Sequence, residues 1–154
     1  MAKEYRKTKS FWRGYIDAQN KHDVYTKSPI VTAERAKVLR PLAEILNAKI
    51  EPYRGDLFKV DIPERVFAKF PTEKDENYLR GWFAAKGQVY KDPLKITICG
   101  NNIEKFRVHL QAFMETRLPR TQQPSKTSEV TRLTLTGEKA REALKFLRPV
   151  GVPK

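Results

Sequence analysis

Apolar residues recur at helical spacing in one long segment of each half of the chain. A stripe of this kind predicts a helix with one buried face. The first segment runs from Thr32, a suitable N-cap, to about Asn47, and the second starts after Gly100 and runs to about Arg117. The stripes consist of Val38, Leu39, Leu42, Ile45 and Leu46, and of Ile103, Phe106, Leu110 and Phe113.

Around these helices, apolar and polar residues alternate with the period of two that sends successive strand side chains to opposite faces. The alternation predicts paired strands at residues 21–27 and 29–31, 49–53 and 57–62, 88–90 and 94–99, and 118–123 and 129–136. Each half then closes with a short helix, at 63–70 and 138–147. The inward side chains are Phe58, Val60, Ile62, Leu94, Ile96, Ile98, Leu133 and Leu135, which leaves Lys59, Asp61, Lys95, Thr97, Arg132 and Thr134 outside.

One phrase occurs twice in the chain, as FWRGYIDA at residues 11–18 and YLRGWFAA at residues 78–85. The copies start 67 positions apart, and Phe106 and Phe113 lie at the same offset from Leu39 and Leu46. An internal repeat of this kind indicates a duplicated folding unit. We therefore predict two halves, residues 1–76 with a helix at 10–19 and residues 77–154 with a helix at 77–86, packed into one monomer.

The repeated phrase resembles the signature helix of the LAGLIDADG homing endonucleases, laid over residues 12–20 and 79–87. The resemblance covers most of the chain and implies an α+β fold of two αββαββα units, with antiparallel sheets that form a DNA-binding saddle. It also implies that the two motif helices pack closely along a pseudo-two-fold axis. The small residues expected at that interface are Gly14, Ala18, Gly81 and Ala85, four apart on one face of each helix.

The chain departs from this family at the positions that carry its chemistry. In active members the eighth motif position is acidic, and the two carboxylates hold the divalent ions that drive phosphodiester hydrolysis. Here those positions are Gln19 and Lys86, and the sixth positions are Asp17 and Ala84. We therefore predict no nuclease activity, no metal site and no cofactor. We expect Asp17 to be structural, as a cap near the helix end.

The chain is strongly basic, with 31 Lys and Arg against 18 Asp and Glu, a net charge of +13. The excess is concentrated in residues 78–154, which hold 15 basic and 6 acidic residues, against 16 and 12 in residues 1–77. This is the electrostatic footprint of a nucleic-acid binder. The single Cys99 indicates a reducing compartment and is expected to be at least half buried. Two histidines without paired cysteines make a zinc site improbable.

The basic and aromatic residues on the outer strand faces form the predicted binding surface, because a β-ribbon fits the DNA major groove. They are Lys21, Tyr25, Lys27, Lys49, Tyr53, Lys59, Gln88, Tyr90, Lys95, Thr97, Arg120, Lys126, Arg132 and Thr134. The leading hypothesis is a sequence-specific double-stranded DNA-binding protein that does not cut. We expect it to be cytoplasmic and nucleoid-associated, with a regulatory or recombination role and a mobile-element or phage origin. We expect no membrane partner, since there is neither a signal peptide nor a spanning segment.

Three other hypotheses stay open at this stage. The chain could be an RNA-binding, maturase-like splicing factor, because that family contains maturases. It could be a residual homing endonuclease that uses Asp17. It could also be an inhibitor whose basic surface binds an acidic protein.

Overall fold

Helices and strands follow one another in nearly the same order in both halves of the computed structural model, except that the second half has one strand instead of two before its last helix. The structure describes residues 8–22, 28–91, 93–100, 103–122 and 131–147. The first half contains α1 (Lys9–Gln19), β1 (Lys21–His22), β2 (Pro29–Ala33), α2 (Ala36–Leu46), β3 (Glu51–Pro52), β4 (Phe58–Asp61) and α3 (Glu64–Phe67). The second contains α4 (Glu76–Lys86), β5 (Gly87–Tyr90), β6 (Lys95–Gly100), α5 (Ile103–Met114), β7 (Thr131–Thr136) and α6 (Gly137–Leu147). The predicted α+β class is confirmed.

Each half contributes one antiparallel sheet. The first sheet has the strand order β1-β2-β4-β3 and the second has the order β5-β6-β7. In the second sheet, Gln122 extends this order by a bridge to Arg132, with N···O distances of 2.7 Å in both directions. The predicted strand at 118–123 is otherwise wrong for residues 118–121. Pro119 lacks the N–H that a strand in a ladder needs, and 123 lies outside the described residues.

Three helix ends differ from the sequence prediction, and the simplest case is α3, which ends at Phe67 rather than near Phe70. Thr32 does not cap α2, because it belongs to β2, where it pairs with Lys59. The helix begins four residues later and has Arg35 at its N-cap position, with no capping hydrogen bond from that side chain. At the other boundary, α5 ends at Met114 rather than near residue 117, since Glu115 adopts a left-handed conformation with φ 54°.

The two motif helices begin with equivalent caps. The Thr8 hydroxyl accepts a hydrogen bond from Phe11 N at 3.2 Å, and the Asp75 carboxylate accepts one from Tyr78 N at 2.9 Å. Side-chain oxygens at this position satisfy N–H groups that the first helical turn leaves unpaired. The cap residues are again 67 positions apart, so the repeat fixes where each motif helix starts.

Each sheet packs one face against helices of its own half and so builds its own hydrophobic core. Val31 and Val60 lie in the first core, and Ile96, Ile98, Leu133 and Leu135 lie in the second. Ala18 of the first half is buried in the second core, and Ala85 packs against both. The cores therefore meet along the pair of motif helices.

Candidate nucleic-acid interface

The seam between α1 and α4 fixes how the two sheets stand relative to each other. A Cβ added to Gly14 would collide with the backbone carbonyl of Tyr78, and one added to Gly81 would collide with that of Phe11. The contacts are reciprocal, because Tyr78 follows Phe11 by the repeat offset. The two glycines therefore let the helix backbones touch directly, which no larger residue would permit.

Asp17 links the two motif helices by a hydrogen bond. It does not form the cap near the helix end that the sequence analysis predicts. Its carboxylate accepts a hydrogen bond from the Tyr78 hydroxyl at 2.6 Å and one from Arg13 Nε at 3.3 Å. Burial, and then the hydrogen bond to this carboxylate, raise the pKa of the Tyr78 phenol. Tyr78 therefore stays protonated at physiological pH and keeps donating to Asp17.

Gln19 extends the ladder between β1 and β2 with its side chain. Its Nε2 donates to Thr32 O at 2.8 Å, and its Oε1 accepts from Thr32 N at 3.0 Å. In the register that pairs Lys21 with Ile30, position 19 would face position 32, so the side-chain amide takes the place of a peptide group. A deprotonated carboxylate could accept from Thr32 N but could not donate to Thr32 O.

Lys86 occupies the equivalent place at the end of α4. Its stem packs beside the last residue of β6, since Cδ and Cε would each lie 3.9 Å from a Cβ added to Gly100. Among the residues that the structure describes, the half-buried Lys86 has no ion pair or side-chain hydrogen bond. The eighth position of the second motif thus carries an ammonium group instead of a metal-binding carboxylate.

The outer face of the second sheet is polar and cationic. The register with β6 places Lys95 beside Tyr90 and Thr136, Thr97 between Gln88 and Thr134, and Cys99 beside Arg132. The Lys95 ammonium lies 4.7 Å from the centre of the Tyr90 ring, and the Tyr90 hydroxyl donates to Gln88 Oε1 at 2.7 Å. No carboxylate lies on this face within the described strands. Thr97 is buried between its neighbours, whereas Cys99 is exposed, contrary to expectation, because alternation turns it outward.

The outer face of the first sheet has a different charge pattern. The register places Lys59 beside Thr32 and Glu51, and Asp61 beside Ile30. Lys59 Nζ lies 3.2 Å from Asp61 Oδ1, and Lys21 Nζ donates to the Thr32 hydroxyl at 3.0 Å. On the described strands of this face, two lysines are therefore balanced by two carboxylates.

Several predicted surface residues lie beyond the strands. Lys49 is exposed before β3, and Arg120 is exposed before the bridge at Gln122. Tyr53 follows β3, and its ring centre lies 5.7 Å from both the Lys59 ammonium and the Arg54 guanidinium. Tyr25, Lys27 and Lys126 lie outside the described residues.

Sequence reasoning missed Thr32, Glu51 and Cys99 as members of the outer faces. Thr32 was assigned to a helix cap, and the two-residue β3 is too short for alternation to show. Within the described part of the chain, no group of three or more His, Cys, Asp or Glu side chains is placed to hold a metal ion. None of the described helices is long and apolar enough to cross a membrane.

Comparison with solved structures identifies the fold. No protein-family model and no curated protein matches the sequence. The N-terminal LAGLIDADG domain of DUF199/WhiA superposes with a TM-score of 0.63 at 15% identity, over 98% of this chain and 84% of that one. Full-length DUF199/WhiA from Thermatoga maritima gives 0.70 at 17% identity, over 98% of this chain and 57% of that one.

DNA-bound homing endonucleases match about as well as the isolated WhiA domain. I-DmoI in complex with its nicked target DNA gives a TM-score of 0.62 at 14% identity, over 95% of this chain and 98% of that one. I-SmaMI bound to its uncleaved DNA target gives 0.63 at 11% identity, over 94% and 86%. The chain therefore has the LAGLIDADG fold that the repeated phrase predicted.

Proposed function

We propose that this protein binds double-stranded DNA as a monomer, through the outer faces of its two sheets, and does not cleave it. The proposal rests on two features that occur together, namely the chemistry of the outer sheet faces and the residues at the ends of the motif helices. The outer faces present cations and hydrogen-bonding side chains, while Gln19 and Lys86 stand where a nuclease of this fold would need carboxylates.

The second sheet supplies the chemistry for contacting a duplex. Arg132 can bind guanine or phosphate through its planar guanidinium, and Gln88 can pair with adenine. Lys95 adds a positive charge, and no carboxylate on the described strands of this sheet opposes it. The similarity to DNA-bound I-DmoI and I-SmaMI supports a duplex as the ligand.

The absence of cleavage rests on what replaces the two carboxylates. The amide of Gln19 is occupied by both backbone groups of Thr32, so it is a poor metal ligand. The ammonium of Lys86 repels divalent cations and can neutralise a phosphate directly. Asp17 is held by Tyr78 and Arg13 and offers one carboxylate where two-metal chemistry needs several.

A duplex-binding protein without cleavage would act as a repressor or as a factor recruited in recombination or by a mobile element. We place it inside the cell, on the nucleoid. These roles require sequence specificity, so we expect the protein to contact bases as well as phosphates.

Selection of bound sequences from a random duplex pool, with structured RNA as competitor, tests the ligand. We expect a defined duplex motif to be enriched. Affinity for it should fall with salt by a slope of about 0.9 per phosphate neutralised. Enrichment of RNA would replace the proposal with the splicing-factor hypothesis, and enrichment of neither would point to a protein partner.

Incubation of the selected duplex with Mg²⁺ or Mn²⁺ tests the chemistry. We expect neither nicks nor double-strand breaks during prolonged incubation. Cleavage that copurifies with the protein and disappears in Asp17→Ala would overturn the assignment of a dead site.

A further inference from the structure

Gln122 lies directly beside Arg132 on the outer face of the second sheet. The backbone groups of the two residues bond in both directions with N···O distances of 2.7 Å, as in an antiparallel pair. Directly opposed residues of antiparallel strands project to the same side of the sheet, with Cβ atoms about 5 Å apart. Both side chains are exposed, so the amide of Gln122 stands next to the guanidinium of Arg132.

Both of these polar groups are available to a ligand. Within the residues that the structure describes, neither the guanidinium of Arg132 nor the amide of Gln122 makes a hydrogen bond or an ion pair. Gln88 on the same face differs, because its Oε1 already accepts from the Tyr90 hydroxyl at 2.7 Å. Gln122 therefore keeps a free donor and a free acceptor side by side, the combination that adenine matches in the major groove.

The equivalent place in the first sheet holds a carboxylate. Residues of the two central strands that lie 67 positions apart pair with Lys59 in the first sheet and with Arg132 in the second. On the far side of these cations stand Glu51 and Gln122, respectively. The carboxylate of Glu51 opposes a positive charge and can only accept hydrogen bonds, whereas the amide of Gln122 leaves the charge of Arg132 intact and can also donate.

We propose that Arg132 and Gln122 together read a guanine and an adenine in neighbouring base pairs of the bound duplex. This assignment rests on the proposed binding of double-stranded DNA. The guanidinium of Arg132 donates to O6 and N7 of the guanine, and the amide of Gln122 donates to N7 and accepts from N6 of the adenine. Stacked base pairs lie about 3.4 Å apart, so two long side chains that start about 5 Å apart can reach adjacent pairs.

Selection from a random duplex pool, carried out with the wild type and with Gln122→Glu, tests this assignment. The wild-type motif should contain a G·C pair next to an A·T pair. The variant keeps the shape of the side chain, but its carboxylate only accepts and so matches the N4 amino group of cytosine. Cytosine should therefore replace adenine at that position. Competition between the two duplexes should show a preference that reverses, with at least about tenfold discrimination in each direction.

Two further variants show whether the change is local. Glu51→Gln makes the opposite change at the equivalent place of the first sheet and should leave both base preferences in place. Arg132→Ala should relax the guanine position and leave the adenine position intact. The bridge between Arg132 and Gln122 consists of backbone atoms, so these variants should fold, and thermal unfolding of each one checks this.

A modified duplex tests the adenine contact at a single atom. 7-Deazaadenine lacks the N7 acceptor and keeps the N6 amino group. Its incorporation at the selected position should weaken wild-type binding about fivefold, the scale of one lost hydrogen bond. The same duplex should not weaken the binding of Gln122→Ala, because that variant has no donor to lose.

Two outcomes would overturn this assignment while duplex binding stands. One is a selected motif that is the same for the wild type and a folded Gln122→Glu. The other is an equal loss with 7-deazaadenine in the wild type and in Gln122→Ala. If the wild type enriched no duplex, the proposed function would fall, and this assignment would fall with it.

Discussion

The outer faces of the two sheets share one backbone plan and differ in charge. In the first sheet, Lys59 is paired with Asp61 at 3.2 Å and also faces Glu51 across the ladder. In the second, Arg132 faces Cys99, and Lys95 stacks on Tyr90, with no carboxylate on the described strands. Side chains on the core face are constrained by packing, whereas outer side chains are free to diverge. A duplicated fold can therefore present two chemically different surfaces, and we expect the second to dominate DNA affinity.

The largest effect should come from breaking the seam that holds both sheets. Gly81→Leu places a side chain into the Phe11 carbonyl, and backbone cannot yield as a flexible side chain can. We expect the free energy of unfolding to fall by about 3 kcal/mol or more, measured by urea denaturation. Lys139→Leu, on the exposed surface of α6, is the control. A stable Gly81→Leu variant would mean that the two helices do not meet at this residue.

The next largest effect compares a glutamine at the end of the first motif helix with one on the strand that follows the second motif helix. Gln19→Glu removes the donor to Thr32 O and sets a carboxylate beside that carbonyl, so unfolding should become about 1–3 kcal/mol easier. The matched variant Gln88→Glu keeps an acceptor for the Tyr90 hydroxyl and should change stability by less than about 0.5 kcal/mol.

The pH dependence sharpens this second test. The folded protein favours the protonated form of the new glutamic acid, which can donate to Thr32 O, so the pKa of that carboxyl should be raised above about 4.3. The lost stability should therefore return below the unfolded-state pKa and disappear as pH rises through the folded-state pKa. If Gln19→Glu lost the same free energy of unfolding below the unfolded-state pKa and above the folded-state pKa, the hydrogen bonds proposed for the Gln19 amide would be contradicted.

A third effect compares the outer cations directly. Arg132→Ala should weaken DNA binding by about 1–3 kcal/mol if it contacts a base, with thermal unfolding nearly unchanged. Lys59→Ala should cost less than about 1 kcal/mol, because Asp61 already neutralises part of that charge. Fluorescence anisotropy on one selected duplex measures both. Equal losses would show that the two faces contribute alike.

The smallest effect should be a gain. Asp61→Asn removes a carboxylate from the weaker face and should strengthen DNA binding by about 0.5 kcal/mol. The salt slope should rise toward one further phosphate contact, about 0.9. Glu142→Gln, an exposed change of the same kind on α6, should leave both quantities unchanged. A weaker complex in Asp61→Asn would mean that this carboxylate helps DNA binding.

The sequence alone predicts the architecture because the repeat offset of 67 positions survives where backbones touch and cores pack. The sequence prediction fails at Thr32, because this residue continues strand β2 instead of capping a helix. It also fails near Pro119, because proline lacks the N–H that a strand in a ladder needs. The outer faces follow from period-two alternation, but their charge balance does not. The Lys59–Asp61 pair and the Gln19 amide ladder depend on strand register, which the sequence pattern does not fix.

The contact between Asp17 and Tyr78 also determines which half can join which. The repeat offset makes Ala84 the counterpart of Asp17 and Phe11 the counterpart of Tyr78, so the pseudo-symmetric contact is apolar. Two copies of the first half, joined to each other, would set each Asp17 against a phenylalanine ring that has no donor. Two copies of the second half would leave each Tyr78 hydroxyl beside an alanine. Separately produced halves should therefore pair with each other rather than with themselves, because only the mixed pair can form the 2.6 Å hydrogen bond between Tyr78 and Asp17.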